Sequence, residues 1–330
     1  MENQSVPEEE FKNRIDLSQL QEMVALVREE VRKLVVGQTE MVDLLVAAIL
    51  SEGHVLIEGY PGVAKTLTAK VFAKIFQAGF GRIQFTPDLM PSDVIGTNIF
   101  NPKTSDFDFK KGPIFSNIIL IDEINRSPAK TQAALFEVME EKQITIDGTT
   151  YAMEDPFMVL ATQNPIEQEG TYRLPEAQLD RFIFKIEVGY PEIEDEVTIL
   201  ENMHNRKSNN DLSAINSILT PEKCTELRQT VRQINVDRSI FSYIAAIMGK
   251  TRNSPMLFLG ASPRASVAIL TASKAFAAMH GRDFVTPEDV QEIAIPVLNH
   301  RVILTPEQEM EGATPKQVLT YLIEQVEVPR

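Results

Sequence analysis

A chain of 330 residues is long enough for two domains of ordinary size, and 43% hydrophobic with 24% charged residues are the proportions of a soluble globular protein. A formal charge of −15 argues against a broad nucleic-acid footprint, leaving room only for a local basic channel. Cys224 is alone, which excludes a disulfide framework and a thiolate metal cluster, and His54, His204, His280 and His300 show no ligand spacing.

The opening residues, Met1 to Asp16, are acidic and polar, with Glu8-Glu9-Glu10. They predict a flexible segment over residues 1–15, unlike a signal or transit peptide. No apolar run reaches the roughly 18 residues that a membrane helix needs, so we expect a cytoplasmic protein without membrane insertion. Leu20, Met23, Val24, Val27, Val31 and Leu34 then recur at helical spacing, and Ser18 with Gln21 predicts a capping-box start. Val35-Val36-Gly37-Gln38 ends that helix. Gly37 and Gln38 suit a plain C-cap and a nucleotide contact equally well. Met41 to Leu50 predicts a second, more apolar helix, broken by Gly53.

His54-Val55-Leu56-Ile57-Glu58 reads as a strand, Gly59-Tyr60-Pro61-Gly62-Val63-Ala64-Lys65-Thr66 as a glycine turn, and Leu67 to Gln77 as an amphipathic helix. Strand, glycine turn and helix in that order are the setting of a phosphate-binding loop, whose backbone N–H groups face the phosphates beside the positive helix terminus. Lys65 is placed to reach the β- and γ-phosphates and Thr66 to ligate Mg²⁺. The expected nucleotide-binding set is Gly59 through Leu67, with Gly37 and Gln38. Ala64 stands where the pattern has glycine. The bland alternative is an ordinary strand-to-helix turn with a surface lysine.

Gly79 and Gly81 end that helix, and Arg82 to Thr86 predicts a short strand, followed by a brief helix or turn over Pro87 to Gly96. Asn98 to Gly112 is polar, with Phe100, Phe107 and Phe109 interspersed, and predicts an inserted loop or hairpin; such aromatics suit single-stranded nucleic acid, but the flanking Asp106 and Asp108 favour packing on its own domain or on a protein partner. Ile118-Ile119-Leu120-Ile121 predicts a strand buried on both faces, hence a parallel sheet covered by helices. Asp122 and Glu123 end it, where open α/β sheets place ligands. Two adjacent carboxylates are costly to bury unless a cation compensates. Taken alone, the pair suits solvated acids at a strand end equally well; following Lys65-Thr66 in the chain, Asp122 is the expected Mg²⁺ residue and Glu123 the group that polarises the attacking water.

Ser127 and Pro128 predict an N-cap and first position of a helix running to about Gln143. Ile144 to Tyr151 reads as a hairpin around Asp147-Gly148 in a type I′ turn. Phe157 to Thr162 predicts another buried strand, with Asn164 at its tip set either to hydrogen-bond the γ-phosphate or its water, or simply to make a turn before Pro165. Leu174 to Leu179 predicts a short helix, and Asp180-Arg181-Phe182 leads into a last strand, Ile183 to Val188. At Gly189-Tyr190-Pro191 the strand signals stop. Helices follow, opened by Thr220-Pro221, Ser262-Pro263, Thr286-Pro287 and Thr314-Pro315.

Together these residues resemble the MoxR family of AAA+ ATPases from about Val36 to the C-terminus. The specific stretches are Met90-Pro91-Ser92-Asp93, Gly112-Pro113-Ile114-Phe115, Asp122-Glu123-Ile124-Asn125-Arg126, Ala161-Thr162-Gln163-Asn164-Pro165, Gly170-Thr171-Tyr172, and Leu174 to Phe182. Arg173 departs from the family's usual proline; Ala before the lysine does not. The resemblance implies an α/β fold: an AAA+ P-loop NTPase core with a parallel sheet flanked by helices over residues 1–190, and an all-helical lid domain over 191–330. Residues 98–112 correspond to the helix-2 insert and 144–151 to the hairpin before sensor 1. Gly59 to Thr66 would be Walker A, Asp122 and Glu123 Walker B, and Asn164 sensor 1. Arg181 resembles the arginine finger that enters a neighbour's site, and Arg264, in Gly260-Ala261-Ser262-Pro263-Arg264, resembles sensor 2. On the residues alone, either arginine also suits a surface ion pair.

The family implies ATP and Mg²⁺ as cofactors, a homo-oligomeric ring, hexameric by expectation, and chaperone-like maturation of other proteins with a von Willebrand factor A domain partner. Three rivals share parts of this pattern: a nucleic-acid-remodelling motor, a magnesium-chelatase-like motor subunit, and a low-turnover nucleotide-bound scaffold.

Overall fold

Ile118, Ile119, Leu120 and Ile121 are wholly buried because strands pair on both sides of them and helices cover both faces. Each such side chain contributes about 2 kcal/mol relative to exposure. The computed structural model describes residues 14–164, 174–205 and 211–329. The N-terminal segment up to residue 13, and Pro165, Gly170, Thr171, Tyr172 and Arg173 of the motifs above, lie outside the described residues.

Helices α1 (Ser18–Arg32) and α2 (Thr39–Leu50) precede β1 (His54–Gly59), α3 (Lys65–Ile75) and β2 (Phe80–Gln84). Next come α4 (Pro91–Ile95) and a hairpin of β3 (Gly96–Asn101) with β4 (Asp106–Lys111). They are followed by β5 (Ile118–Asp122), α5 (Ala129–Glu141), a hairpin of β6 (Gln143–Ile146) with β7 (Thr149–Ala152), β8 (Met158–Gln163), α6 (Glu176–Leu179) and β9 (Phe182–Val188). Beyond lie α7 (Ile193–Asn205), α8 (Pro221–Arg232), α9 (Arg238–Asn253), β10 (Leu257–Leu259) and α10 (Pro263–Met279). The chain closes with α11 (Pro287–Leu298), β11 (Ile303–Leu304), α12 (Pro306–Met310) and α13 (Pro315–Glu324).

The main sheet has the order β2-β5-β8-β1-β9, and every pairing in it is parallel. Side chains alternate across it. Val55, Ile57, Ile118, Leu120, Met158 and Leu160 face one core, shared with α1, α2, α3 and the C-terminal helices. Leu56, Ile119, Ile121, Val159 and Ala161 face the other, shared with α5. The C-terminal helices therefore rest on the α1–α2 side, and one continuous apolar core joins core and lid.

Several expectations shift in detail. Helix α1 starts at Ser18 after Leu17, with no side-chain cap; the Asp16 carboxylate accepts from the Ser18 N–H instead, at 2.9 Å. Pro128 is the residue before α5, extended at ψ 150, and Ser127 Oγ is buried without a hydrogen-bond partner. Gln132 closes that entry by donating to the carbonyls of Ile124 and Ser127. Strand β2 begins at Phe80 because Phe80 to Gln84 register with Ile118 to Asp122. Gly81 lies inside it, where a Cβ would stand 2.8 Å from the Pro113 carbonyl. The polar segment after Ile95 is the β3–β4 hairpin, and Phe109 from it packs on Tyr151 of the second hairpin, centroids 4.6 Å apart. Asp147 and Gly148 both have positive φ, as a type I′ turn requires. All four hydroxyl-proline pairs start helices, as does Thr305-Pro306, which the sequence reading passed over together with the small β10–β11 sheet.

Candidate active site

Gly62, at φ +88, and Ala64, at φ +59, turn the chain from β1 into α3. Ala64 is the N-cap position of α3 in the left-handed region, where a Cβ costs about 1–2 kcal/mol. The loop therefore keeps a glycine-type path with a strained alanine in it. Gly59 is dictated by packing, since a Cβ there would lie 2.7 Å from the Val188 carbonyl oxygen of β9. Tyr60 stacks on Tyr190, centroids 4.6 Å and planes 6° apart, tying the loop to the chain that leaves β9.

Lys65 donates its Nζ to the Gly59 carbonyl at 2.6 Å, folded back over the loop. Burial lowers its pKa, while the carboxylates of Asp122, Glu123 and Glu58 act in the opposite sense. The ammonium thus stands in the field of the β5 acids. Asp122 shares the sheet face of Ile118 and Leu120, which is the face covered by α3, so the first turn of α3 with Thr66 lies on its side. Pairing sets Asp122 beside Thr162, whose hydroxyl donates to Asp122 Oδ1 at 3.4 Å, and Thr162 is level with Ile57 of β1. Arg82 Nε meets Asp122 Oδ2 at 2.7 Å.

Glu123 adopts φ +58, a strained conformation for a residue with a side chain, and its N–H donates to Thr162 Oγ1 at 3.1 Å. Gln84 Nε2 and Arg126 Nε both reach its Oε2, at 2.9 and 3.0 Å. Asn164 follows β8 at the same sheet edge and is half-buried. Lys65, Thr66, Asp122, Glu123 and Asn164 are therefore brought together at the C-terminal ends of the strands, where parallel sheets bind ligands. Among the described residues no three His, Cys, Asp or Glu groups form a metal cage. Mg²⁺ is commonly held by one or two carboxylates plus substrate phosphates and water. Thr66 and Asp122 are the residues able to supply that partial shell.

Gly37 has φ +74, and a Cβ on it would lie 2.2 Å from Asp195 Oδ2 of α7. Helix α1 ends at Arg32 with Lys33 as C-cap, so the plain C-cap reading of Gly37 does not hold. Instead this turn, the P-loop and α7 enclose an apolar cavity whose lining includes Val36, Gln38, Val63, Leu67, Ile199 and Met203. Its apolar walls, next to the loop that ends in Lys65, suit a flat purine ring.

Arg181 and Arg264 are elsewhere. Arg181 precedes β9 at the opposite sheet edge: His54 pairs with Phe182 and Gly59 with Val188, so a strand's length of about 20 Å separates it from the P-loop. Its Nη2 meets Glu140 Oε2 at 2.7 Å, and its Nη1 donates to the Phe136 carbonyl. Arg264 Nη2 pairs with Glu140 Oε1. Neither guanidinium is placed to touch a triphosphate on its own P-loop.

Arg82, Gln84, Thr162 and Glu140 had no assigned role in the sequence reading. Arg82 and Gln84 sit two apart near the end of β2, so their common face was readable from strand alternation. Their pairing with Asp122 and Glu123 needed the register. Glu140 carried no local signal.

A five-stranded parallel sheet in this order, a phosphate-binding loop beside a paired-acid strand, and a helical lid define an ATPase of the AAA class. Residues 54–184 match the ATPase family associated with various cellular activities (AAA), and residues 249–321 match the AAA lid domain. The chain is 45% identical over 301 residues to the uncharacterized protein YeaC of Bacillus subtilis (strain 168), covering 91% of this chain and 93% of that one. It is 42% identical over 310 residues to chaperone MoxR1 of Mycobacterium tuberculosis (strain ATCC 25618 / H37Rv), covering 91% and 81%. A crystal structure from Cytophaga hutchinsonii, described only as a candidate ATPase, superposes with a TM-score of 0.88 at 42% identity, covering 95% of this chain and 97% of that one. The chain belongs to the MoxR family of AAA ATPases. No helix among the described residues is long and apolar enough to cross a membrane.

Proposed function

We propose that this chain is a Mg²⁺-dependent ATPase subunit that hydrolyses ATP only in a homo-oligomeric ring, a hexamer by family expectation, with its core over residues 1–190 and its lid over 191–330. One observation carries the reading: the P-loop and the β5 acids share one edge of the sheet, while Arg181 and Arg264 share the other, about 20 Å away. A neighbour must supply those arginines.

The backbone N–H groups of Gly62 to Lys65 and the Lys65 ammonium bind the β- and γ-phosphates, and the cavity behind Gln38 takes the base. Thr66 and Asp122 would hold Mg²⁺, which when bound would offset phosphate charge. Glu123 accepts a hydrogen bond from the water and turns its lone pair toward the γ-phosphorus. The new P–O bond forms as the bond to the bridging oxygen of ADP breaks, and the proton that the water loses passes by way of Glu123 to the released phosphate. Asn164 orients the water or a γ-oxygen. Arg181 and Arg264 of the adjacent subunit stabilise charge on the transferring group. Glu123→Gln is expected to keep ATP binding and lose turnover; a Glu123→Gln protein that still releases phosphate at the normal rate overturns the assignment.

The similarity to chaperone MoxR1 supports a chaperone-like role, in which hydrolysis in the cytoplasm drives maturation or activation of other proteins, with a von Willebrand factor A domain protein as the expected partner. Affinity capture with the Glu123→Gln form held in ATP tests that role. Recovery of no partner protein across ATP- and ADP-loaded states counts against it.

A further inference from the structure

Arg301, in the turn between α11 and β11, has a side chain only 3% exposed, yet every guanidinium nitrogen is engaged. Nε donates to Asp180 Oδ1 at 2.7 Å. Nη1 donates to the carbonyls of Val297 and Ile183, at 2.5 and 3.2 Å, and Nη2 to those of Asp180 and Phe182, at 2.9 and 2.7 Å. A buried guanidinium is stable only when its charge and its donors are matched, and one carboxylate with four carbonyls does this. Asp180, Phe182 and Ile183 flank Arg181. The neighbouring His300 adds a fifth tie, its Nε2 donating to the Phe182 carbonyl at 2.9 Å.

The second oxygen of Asp180 is also taken. Ser262 Oγ donates to Asp180 Oδ2 at 2.9 Å, and Ser262 is the N-cap of α10, two residues before Arg264. One core carboxylate is thus held on both oxygens by the lid. Arg181 leaves the chain one residue beyond that carboxylate, and Arg264 leaves it from the turn that Ser262 anchors. The phosphate-binding machinery is about 20 Å away, so this polar cluster has no direct part in it.

We propose that Arg301 and Ser262, acting through Asp180, are positioning residues that fix the spacing of Arg181 and Arg264, so that both cations are offered to the neighbouring subunit's nucleotide as one rigid unit. This rests on the reading that the two arginines act in trans. It makes the lid–core seam part of the neighbour's active site.

The test uses full-length protein and subunit mixing. Asp180→Asn, nearly isosteric, removes the charge that Arg301 faces; Arg301→Lys keeps the charge and loses the fork. Each variant alone is expected to keep ATP binding and KM while kcat falls about 100-fold, the scale of a misplacement of roughly 1 Å. Mixing either variant with Glu123→Gln subunits, themselves inactive but with intact arginines, is expected to restore hydrolysis in the variant's own sites. Arg181→Ala mixed with Glu123→Gln is the control. If that control shows no recovery, the trans reading fails, and the proposal falls with it. If the control recovers but Asp180→Asn and Arg301→Lys do not, or if both turn over normally alone, the positioning role is overturned and the trans reading stands. Loss of nucleotide binding by both variants also overturns it, because the cluster would then hold the subunit's own nucleotide site.

Discussion

The guanidinium groups of Arg181 and Arg264 grip the two oxygens of a single carboxylate, Glu140 of α5. Residues far apart in the chain are thereby gathered at the sheet edge remote from the P-loop. Surface ion pairs of this exposure contribute little to stability, so the arrangement is more informative about where the arginines are stored than about folding.

Removing these cations is expected to separate binding from chemistry. Arg181→Ala should leave ATP affinity within about twofold and lower hydrolysis by roughly a thousandfold, the scale of an absent arginine finger. Arg264→Ala should behave in the same direction. Nucleotide titration with phosphate release at ring-forming concentrations checks both. An affinity loss as large as the rate loss would place Arg181 in its own subunit's site.

The alanine at φ +59 gives a second expectation. Ala64→Val puts a β-branched side chain where the left-handed backbone tolerates it poorly, and should destabilise the protein by about 2 kcal/mol or more. Ala64→Gly removes the local strain but frees the unfolded chain, so the two effects offset within about 1 kcal/mol. Urea unfolding distinguishes them. Equal stability of the Val and Gly variants would mean that the turn is not strained.

Gly37 is constrained twice, by its backbone and by Asp195. Gly37→Ala should displace α7 from the base cavity and weaken ATP binding by about tenfold, or 1.4 kcal/mol. Adding Asp195→Ala removes the collision but not the left-handed penalty, so the double variant should recover only part of the loss. A double-mutant cycle with no coupling between the two positions would show that α7 does not seat on this glycine.

His54 supplies a pH prediction. Its Nε2 donates to the Met139 carbonyl and its Nδ1 accepts from the Val159 N–H, each at 3.0 Å, which fixes the neutral ring. Burial depresses its pKa to about 4. The unfolded ring titrates near 6.5, so between about pH 6.5 and 4 the unfolded chain binds a proton that the folded chain does not. Stability from this group is complete above that window and falls as pH drops through it, by up to about 1.4 kcal/mol per pH unit. Burial pushes His300 the same way. Denaturant midpoints across this range should slope less steeply for His54→Gln than for the parent; identical slopes would show that His54 does not titrate on unfolding.

The glycine turn between a strand and a helix, the isoleucine run ending in two acids, the Asn164 strand tip and the series of proline-started helices were all legible in sequence, because each depends on residues within one turn or one strand. Helix entries at Ser18 and Ser127 were each misread by one residue: the Asp16 carboxylate upstream accepts from the Ser18 N–H, and at α5 Ser127 Oγ caps nothing while Gln132 donates to the carbonyls of Ile124 and Ser127. What only the tertiary structure decided is distance and company. Strand register sets Arg82 on Asp122 and Gln84 on Glu123, and the length of β9 puts Arg181 at the end of the sheet away from its own P-loop. Glu140, Asp180, Ser262 and Arg301 meet only because the lid folds back onto the sheet. Their ionic and hydrogen bonds join residues scores of positions apart, which no local spacing encodes.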